Sequence, residues 1–305
     1  MPARRISLVN FKGGVGKTSI TVNLAASLAR ELDQKVLVVD MDAQSNTSIW
    51  LMGVPRWNNL NGMDEKSVWG LFHPNNTGLK QCLEEEVLLN DHGVELIPKL
   101  DLIPATYKLM DLEHEYQDQD ETPYFVKFRM QLEILFDQYD YILFDCPPNV
   151  FRATRCAVFC SEEVYVPANP DLLSFVGLSL LSDKISKFHS QTTLYRQTFP
   201  GFRPAEIRGI ILNAVESGAN YHQILDMMGA KIVQLRSRQV VSSDADILPT
   251  RIRRTVSAAK TQMEALPATL GKGSPGLRED YLNLARYIHN TPLEKKGVRH
   301  GKKGI

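Results

Sequence analysis

The stretch Asn10-Phe11-Lys12-Gly13-Gly14-Val15-Gly16-Lys17-Thr18 decides the fold of this 305-residue chain. An apolar run, Arg5–Asn10, leads into it and reads as a strand, and a helical pattern leaves it over Gly16–Leu32. A glycine-rich turn between a strand and a helix is built to hold phosphate. Without Cβ atoms in the way, backbone N–H groups approach the phosphate oxygens, and the start of the helix adds the positive end of its dipole. In that setting Gly13, Gly14, Val15, Gly16 and Ser19 belong to the cradle. Lys17 reaches the outer phosphates and Thr18 offers its hydroxyl to Mg²⁺, so a nucleotide's phosphates and Mg²⁺ are the implied ligands.

Outward from the loop, further strand-like runs fall at Lys35–Asp40, Val94–Ile97, Tyr141–Asp145, Glu163–Val166 and Ile207–Asn213. Helical patterns lie between and after them at Phe125–Phe136, Ser174–His189, Tyr221–Met228 and Leu277–Ile288. Most of the strands are continuous apolar runs, as expected where helices cover both sheet faces. The expectation is therefore an α/β fold, with a mostly parallel twisted sheet between helices, in one domain over residues 1–294. Met52–Glu65, Gln117–Pro123 and Gln239–Ala245 read as loops or insertions, and residues 295–305 as a flexible basic tail.

Two later segments add carboxylates. The strand Lys35–Asp40 ends in Asp40-Met41-Asp42, and Tyr141-Ile142-Leu143-Phe144 delivers Asp145 ahead of Pro147 and Pro148. The C-terminal ends of parallel strands face the crevice where such sheets bind ligands. Asp145 is placed to serve the metal. Taken alone, Asp40 and Asp42 would more often cap the next helix.

Composition narrows the class. An apolar share of 43% suits a soluble globular chain, and no apolar run nears the roughly 20 residues of a membrane-spanning helix. The N-terminus has no secretion-signal pattern, so a cytoplasmic protein is expected. The cysteines at 82, 146, 156 and 160 lack zinc-type spacing, and Cys156 and Cys160 read as buried thiols on one helix face. Net charge is zero, but beyond residue 200 there are 17 Lys+Arg against 9 Asp+Glu. Such asymmetry can mark a polyanion surface. The candidates are Lys231, Arg236 and Arg238, then Arg251, Arg253, Arg254 and Lys260, then the tail residues Lys295, Lys296, Arg299, Lys302 and Lys303.

The loop departs from the strict Walker pattern, with Phe11 where a glycine is usual and Lys12 directly before the glycine pair. Lys12–Thr18 thereby resembles the deviant Walker A class of P-loop ATPases, which includes the ParA and MinD families. Asp40–Gln44 is similar to the family's DxDxQ segment and Tyr139–Pro148 to its Walker B strand. Asp101–Ala105 and Val166–Pro170 look like two of its shorter motifs, and the resemblance spans roughly residues 4–290. It implies that Lys12 contacts the nucleotide of the opposite subunit, that Asp40 contributes to the Mg²⁺ shell, and that Asp42 positions the attacking water. It also implies an adenine-edge role for Asn213. Leu248–Arg254 resembles a further motif, with Arg253 in place of its proline.

Among the relatives, iron–sulfur carriers need cysteine ligands this chain lacks, and MinD proteins end in an amphipathic membrane helix unlike Glu294–Ile305. Tail-anchor chaperones carry a Met-rich helical subdomain, whereas the nine methionines here are scattered. The start directly at the first strand gives no expectation of an operator-binding helix-turn-helix. A ParA-type partition or positioning ATPase is the expectation. It would be an ATP-dependent homodimer that binds DNA non-specifically at the nucleoid without a membrane partner, with hydrolysis stimulated by a ParB-like or cargo-adaptor protein. The alternative is a MinD-like positioning ATPase working on a membrane or protein scaffold without DNA.

Overall fold

The computed structural model describes residues 2–60, 63–72, 79–85, 87–88, 96–114, 122–256, 258, 264–271 and 275–291. Its strands are β1 (Arg4–Leu8), β2 (Val36–Asp40), β3 (Leu100–Ile103), β4 (Tyr141–Asp145), β5 (Glu163–Ala168), β6 (Glu206–Val215) and β7 (Val241–Arg253). They form one parallel sheet in the order β3-β2-β4-β1-β5-β6-β7. The principal helices are α1 (Lys17–Leu32), α2 (Asn46–Met52), α3 (Val54–Asn58), α4 (Leu79–Cys82), α5 (Asp111–His114), α6 (Tyr124–Leu132) and α7 (Arg152–Cys160). They continue with α8 (Leu172–Gln191), α9 (Thr193–Arg196), α10 (His222–Leu235) and α11 (Pro275–Asn290).

Every residue of β2, β4 and β5 is buried, because helices cover both faces of the sheet. The period of two sorts each strand between two cores. Val36 and Val38 pack with Ile20, Leu24 and Leu28 of α1 and with Leu284 and Ile288 of α11. Leu37 and Val39 face the other way, into the core that holds Phe128 of α6, Ala157 of α7, Leu181 of α8 and Ile232 of α10. Each fully buried aliphatic of α1 stabilises the fold by about 1.5–3 kcal/mol, so Leu24→Ala is the kind of single change that loosens this helix.

Asp40 and Asp145 are register partners at the ends of β2 and β4. They sit two residues beyond Val38 and Leu143, on the face that α1 covers. The alternation thus aims both carboxylates beneath the first turn of α1, and the fold itself builds the site.

Three expectations need correction. The third strand lies at Leu100–Ile103 rather than Val94–Ile97; Leu96 and Ile97 are not strand, and Val94 is outside the described residues. Asp101 disguises this strand, and it is tolerated because Tyr139 Oη donates to its carboxylate at 2.7 Å on an edge strand. Most of Gln239–Ala245 is not a loop, since β7 begins at Val241. β7 is the other edge of the sheet, where Pro249 and the alternating Asp244, Asp246, Arg251 and Arg253 can face outward. The Met52–Glu65 segment contains α3, and Trp57 there is buried with its Nε1 donating to Ala105 O at 2.9 Å. Nearly all of Gln117–Pro123 and the whole tail 295–305 fall outside the described residues. Cys156 and Cys160 are buried, as expected, and neither is in a disulfide among the described residues. Among the described residues no helix is long and apolar enough to cross a membrane.

Candidate functional site

Two glycines of the loop have left-handed backbone, Gly14 at φ 74° and Gly16 at φ 86°. A Cβ built on Gly13 or Gly14 meets nothing within 4 Å, so that side of the loop is open. Gly16 is different. A Cβ there would run into the side-chain amide of Asn213, which donates to Val15 O at 2.9 Å. The structure therefore brings Asn213, at the end of β6, under the loop as a brace. Gly16 also caps α1, and no side chain caps this helix. Its first-turn N–H groups are left for an anion.

Lys17 is buried, and its Nζ makes a 3.4 Å contact with Lys12 O. Burial lowers the pKa of this ammonium, opposed by the nearby charges of Asp145, Cys146 and Asp42. A buried cation whose one hydrogen-bond partner among the described residues is a distant carbonyl suits phosphate oxygens.

Beneath it lies the carboxylate pair. Asp145 Oδ2 accepts from Thr18 Oγ1 and from Thr47 Oγ1, both at 2.7 Å, and Oδ1 accepts from Thr21 Oγ1 at 3.3 Å. Asp40 Oδ2 accepts from Ser48 N at 2.9 Å and Ser48 Oγ at 2.6 Å, while Oδ1 accepts from Asp42 N at 3.1 Å. Ser48 Oγ in turn accepts from Ala105 N at 2.8 Å, which ties the segment after β3 into the same network. Burial pushes both carboxyls above their ordinary range; Asp145 adds to the rise at Asp40, and the hydroxyl donors and Lys17 oppose it at Asp145. Two acidic groups in a dry site favour a cation beside them. Among the described residues there is no group of three or more His, Cys, Asp or Glu that could cage a metal. The paired carboxylates with the Thr18 hydroxyl beside them fit Mg²⁺, which is commonly held by one or two carboxylates together with substrate phosphates.

Asp42 is half-buried, and its Oδ1 accepts from Gln44 N at 3.0 Å, closing the turn ahead of α2. Asp40 binds the first turn of α2 through Ser48, so a capping function is present alongside any metal role. Thr21, Thr47 and Ser48 were not singled out from the sequence. Two adjacent hydroxyls a few residues beyond the Asp pair were the available signal.

Lys12 Nζ forms an ion pair with Asp171, another residue that sequence reasoning missed. Asp171 caps α8, accepting from Ser174 N at 2.9 Å. Aspartate after a proline and three residues before the capped N–H was its sequence signal. Partial burial raises the Asp171 carboxyl, but Lys12 and Ser174 outweigh this and hold it below the usual range. The first turns of α8 expose Leu172, Leu173, Val176 and Leu180, and a Cβ at Gly177 would meet Asn10 Oδ1 at 3.8 Å.

Among the described residues, the basic candidates do not form one free cationic surface. Arg253 is locked to Asp280 by Nε and Nη2, each at 2.7 Å, with its backbone N at 3.0 Å from the same carboxylate. Arg254 pairs with Glu216 at 2.6 Å, Arg238 with Asp183, and Arg236 with Asp246 at 3.7 Å besides donating to Ala245 O. Lys231 contacts Gln234 Oε1 at 3.0 Å. Arg251 is exposed and makes no ion pair among the described residues. Lys260 and the tail cations fall outside the described residues.

A glycine loop between strand and helix, a buried lysine behind it and paired carboxylates below define a P-loop nucleotide-binding protein. Comparison with known proteins narrows the class. The AAA domain family matches residues 3–197. The chromosome partitioning protein ParA of Myxococcus xanthus is 32% identical over 231 residues, which cover 73% of this chain and 69% of that one. The sporulation initiation inhibitor protein Soj of Bacillus subtilis is 27% identical over 291 residues, 93% of this chain and 97% of the relative. A plasmid partition protein from Borrelia burgdorferi, solved bound to AMPPNP, shares the fold with a TM-score of 0.64 at 18% identity, over 95% of this chain and 100% of that one. This chain belongs to the AAA domain family, among its ParA-type ATPases.

Proposed function

We propose that the protein is an ATP-hydrolysing, ATP-dependent homodimer. In this reading it holds DNA non-specifically, and partitions a plasmid or chromosome or positions another cargo at the nucleoid. A ParB-like or adaptor partner stimulates its hydrolysis. The observation that carries the reading is the pair of lysines. Lys17 is buried at the loop, whereas Lys12 lies at the loop's partly exposed rim, beside the apolar side chains of α8.

The loop N–H groups and the open first turn of α1 bind the triphosphate, and Lys17 neutralises it. Thr18 and Asp145 are the residues that would hold Mg²⁺, with Asp40 beside them. Bound there, the ion would supply positive charge to offset the negative charge that develops during transfer. Asp42 orients the attacking water from the turn it closes. Lys12 leaves Asp171 and stabilises the transferring phosphate of the opposite subunit, as an arginine finger does. Asn213 holds the loop from below. Exposed Arg251, with Lys231 and the pairs of Arg236, Arg238 and Arg254 opened by phosphate, contributes the DNA contacts; Arg253 serves the fold instead. The relatives' names, a chromosome partitioning protein and a plasmid partition protein, support the cargo class.

The test is nucleotide and DNA binding by the wild type, Lys17→Ala and Lys12→Gln. Lys17→Ala should lose ATP binding. Lys12→Gln should bind ATP yet neither hydrolyse it nor dimerise stably. DNA should be retained in a salt-dependent way with ATP but not ADP. Wild-type hydrolysis by Lys12→Gln would end the trans-lysine reading, and DNA retention indifferent to ATP would end the DNA reading in favour of a scaffold.

A further inference from the structure

We propose that Thr47 is a positioning residue for the Mg²⁺ site, and that it ties the Asp42 turn to the Asp145 carboxylate. The inference rests on the reading of Thr18 and Asp145 as the metal-holding pair. Its starting point is that one oxygen, Asp145 Oδ2, accepts two hydroxyls at the same 2.7 Å, one from Thr18 and one from Thr47. The Thr18 hydroxyl keeps lone pairs for a metal while its proton points to Asp145 Oδ2. Thr47 has no such second task in sight. It is wholly buried, in the first turn of α2, and its hydroxyl is directed to the carboxylate.

What distinguishes Thr47 from a polar residue that merely satisfies itself is its neighbour. Ser48 donates twice to Asp40, by N and Oγ, so consecutive residues of one helix reach the two carboxylates of the site. The start of α2 is thereby pinned across the ends of β2 and β4. The turn carrying Asp42 runs directly into this helix through Ser45, whose backbone is left-handed at φ 56°. A carboxylate held by the Thr47 hydroxyl as well as by Thr18 and Thr21 of α1 cannot swing without dragging α2, and α2 cannot shift without moving the turn that carries Asp42. Thr47 thus makes the orientation of the metal-holding carboxylate and the placement of Asp42 one variable. Groups that orient metal-holding carboxylates usually matter about 10–100-fold in metal affinity when removed.

The test uses the full chain and a fluorescent, non-hydrolysable ATP analogue, titrated with Mg²⁺ and compared with binding in EDTA. Thr47→Val keeps the shape and deletes the hydroxyl; Thr47→Ala deletes it without adding bulk, should the valine misfold; Thr47→Ser keeps it. The expected result is a half-saturating Mg²⁺ concentration raised about tenfold in the valine and alanine variants, at the low end of that range. The serine variant should match the wild type, and analogue binding in EDTA should be the same for all. Wild-type Mg²⁺ midpoints for valine and alanine would overturn the inference, as would equal losses with and without Mg²⁺, which would mark damage to the loop. A wild type whose analogue binding ignores Mg²⁺ would instead overturn the metal-site reading, and the inference with it.

Discussion

Replacing Asp171 by asparagine isolates the ion pair that holds Lys12. Asparagine is as good an N-cap as aspartate, so the hydrogen bond to Ser174 N is kept and only the charge is lost. The two side chains are 29% and 38% exposed, so the pair is screened and contributes about 0.5 kcal/mol. A dimer in which Lys12 crosses to the other nucleotide must open one pair in each subunit, about 1 kcal/mol in all, which corresponds to roughly a fivefold change in Kd. Asp171→Asn should therefore dimerise with the ATP analogue at about one fifth of the wild-type concentration, and not at all better with ADP. Sedimentation velocity across a protein dilution series reads this directly. Asp171→Ala is the control, since it also removes the cap and costs α8 about 1 kcal/mol. An Asp171→Asn dimer no tighter than wild type would refute the competition between this pair and dimerisation.

Asp42→Ala should leave nucleotide binding intact and slow hydrolysis about 100-fold or more in a phosphate-release assay, with the ATP-bound dimer accumulating. Arg251→Ala with Arg254→Ala should weaken DNA binding equally on two unrelated duplexes and flatten its salt dependence by roughly 0.9 for each phosphate no longer neutralised. Arg253→Ala should spare that slope but lower thermal stability by about 1–2 kcal/mol, because it strips the nearly buried Asp280 of two hydrogen bonds. His189, pushed down to about 4 by burial and by Arg196, stays neutral in the fold while the unfolded chain protonates it near 6.5. Its folded pKa is the lower one, so stability is full above about 6.5 and falls as the pH drops towards 4, by at most about 3 kcal/mol. His189→Gln should flatten that part of the acid melting curve.

The sequence made the central strands and the loop readable because burial on both faces leaves unbroken apolar runs, as in Tyr141–Asp145. It failed at the edges for the same reason inverted. β3 carries Asp101 and β7 carries Pro249 between charges, and only the tertiary setting shows that these positions face outward or find Tyr139. Within the site, Lys17 and Asp145 announced themselves through motif context. Thr47, Ser48 and Asp171 did not, since a hydroxyl or carboxylate near a helix start reads as a cap until its distant partner is known. Among the basic residues it was the pairing that stayed hidden. Counting charge along the chain could not reveal that Asp280, Glu216 and Asp183 already answer three of the arginines.

The order of the sheet also governs when the nucleotide site can come into being. β1 lies in the middle, between β4 and β5, so the first strand made waits for partners drawn from the middle of the chain. Thr18 and Asp145 are separated by 127 residues. At about 5–20 residues per second of synthesis, the phosphate loop leaves the ribosome well before the carboxylate beneath it. Until then ATP has no complete site with which to stabilise the growing chain, and β1 is an unpaired strand exposed to wrong partners. The loop, although made before its partners, is thus finished only with them, and chaperone demand at β1 during synthesis should end only once β4 and β5 have emerged.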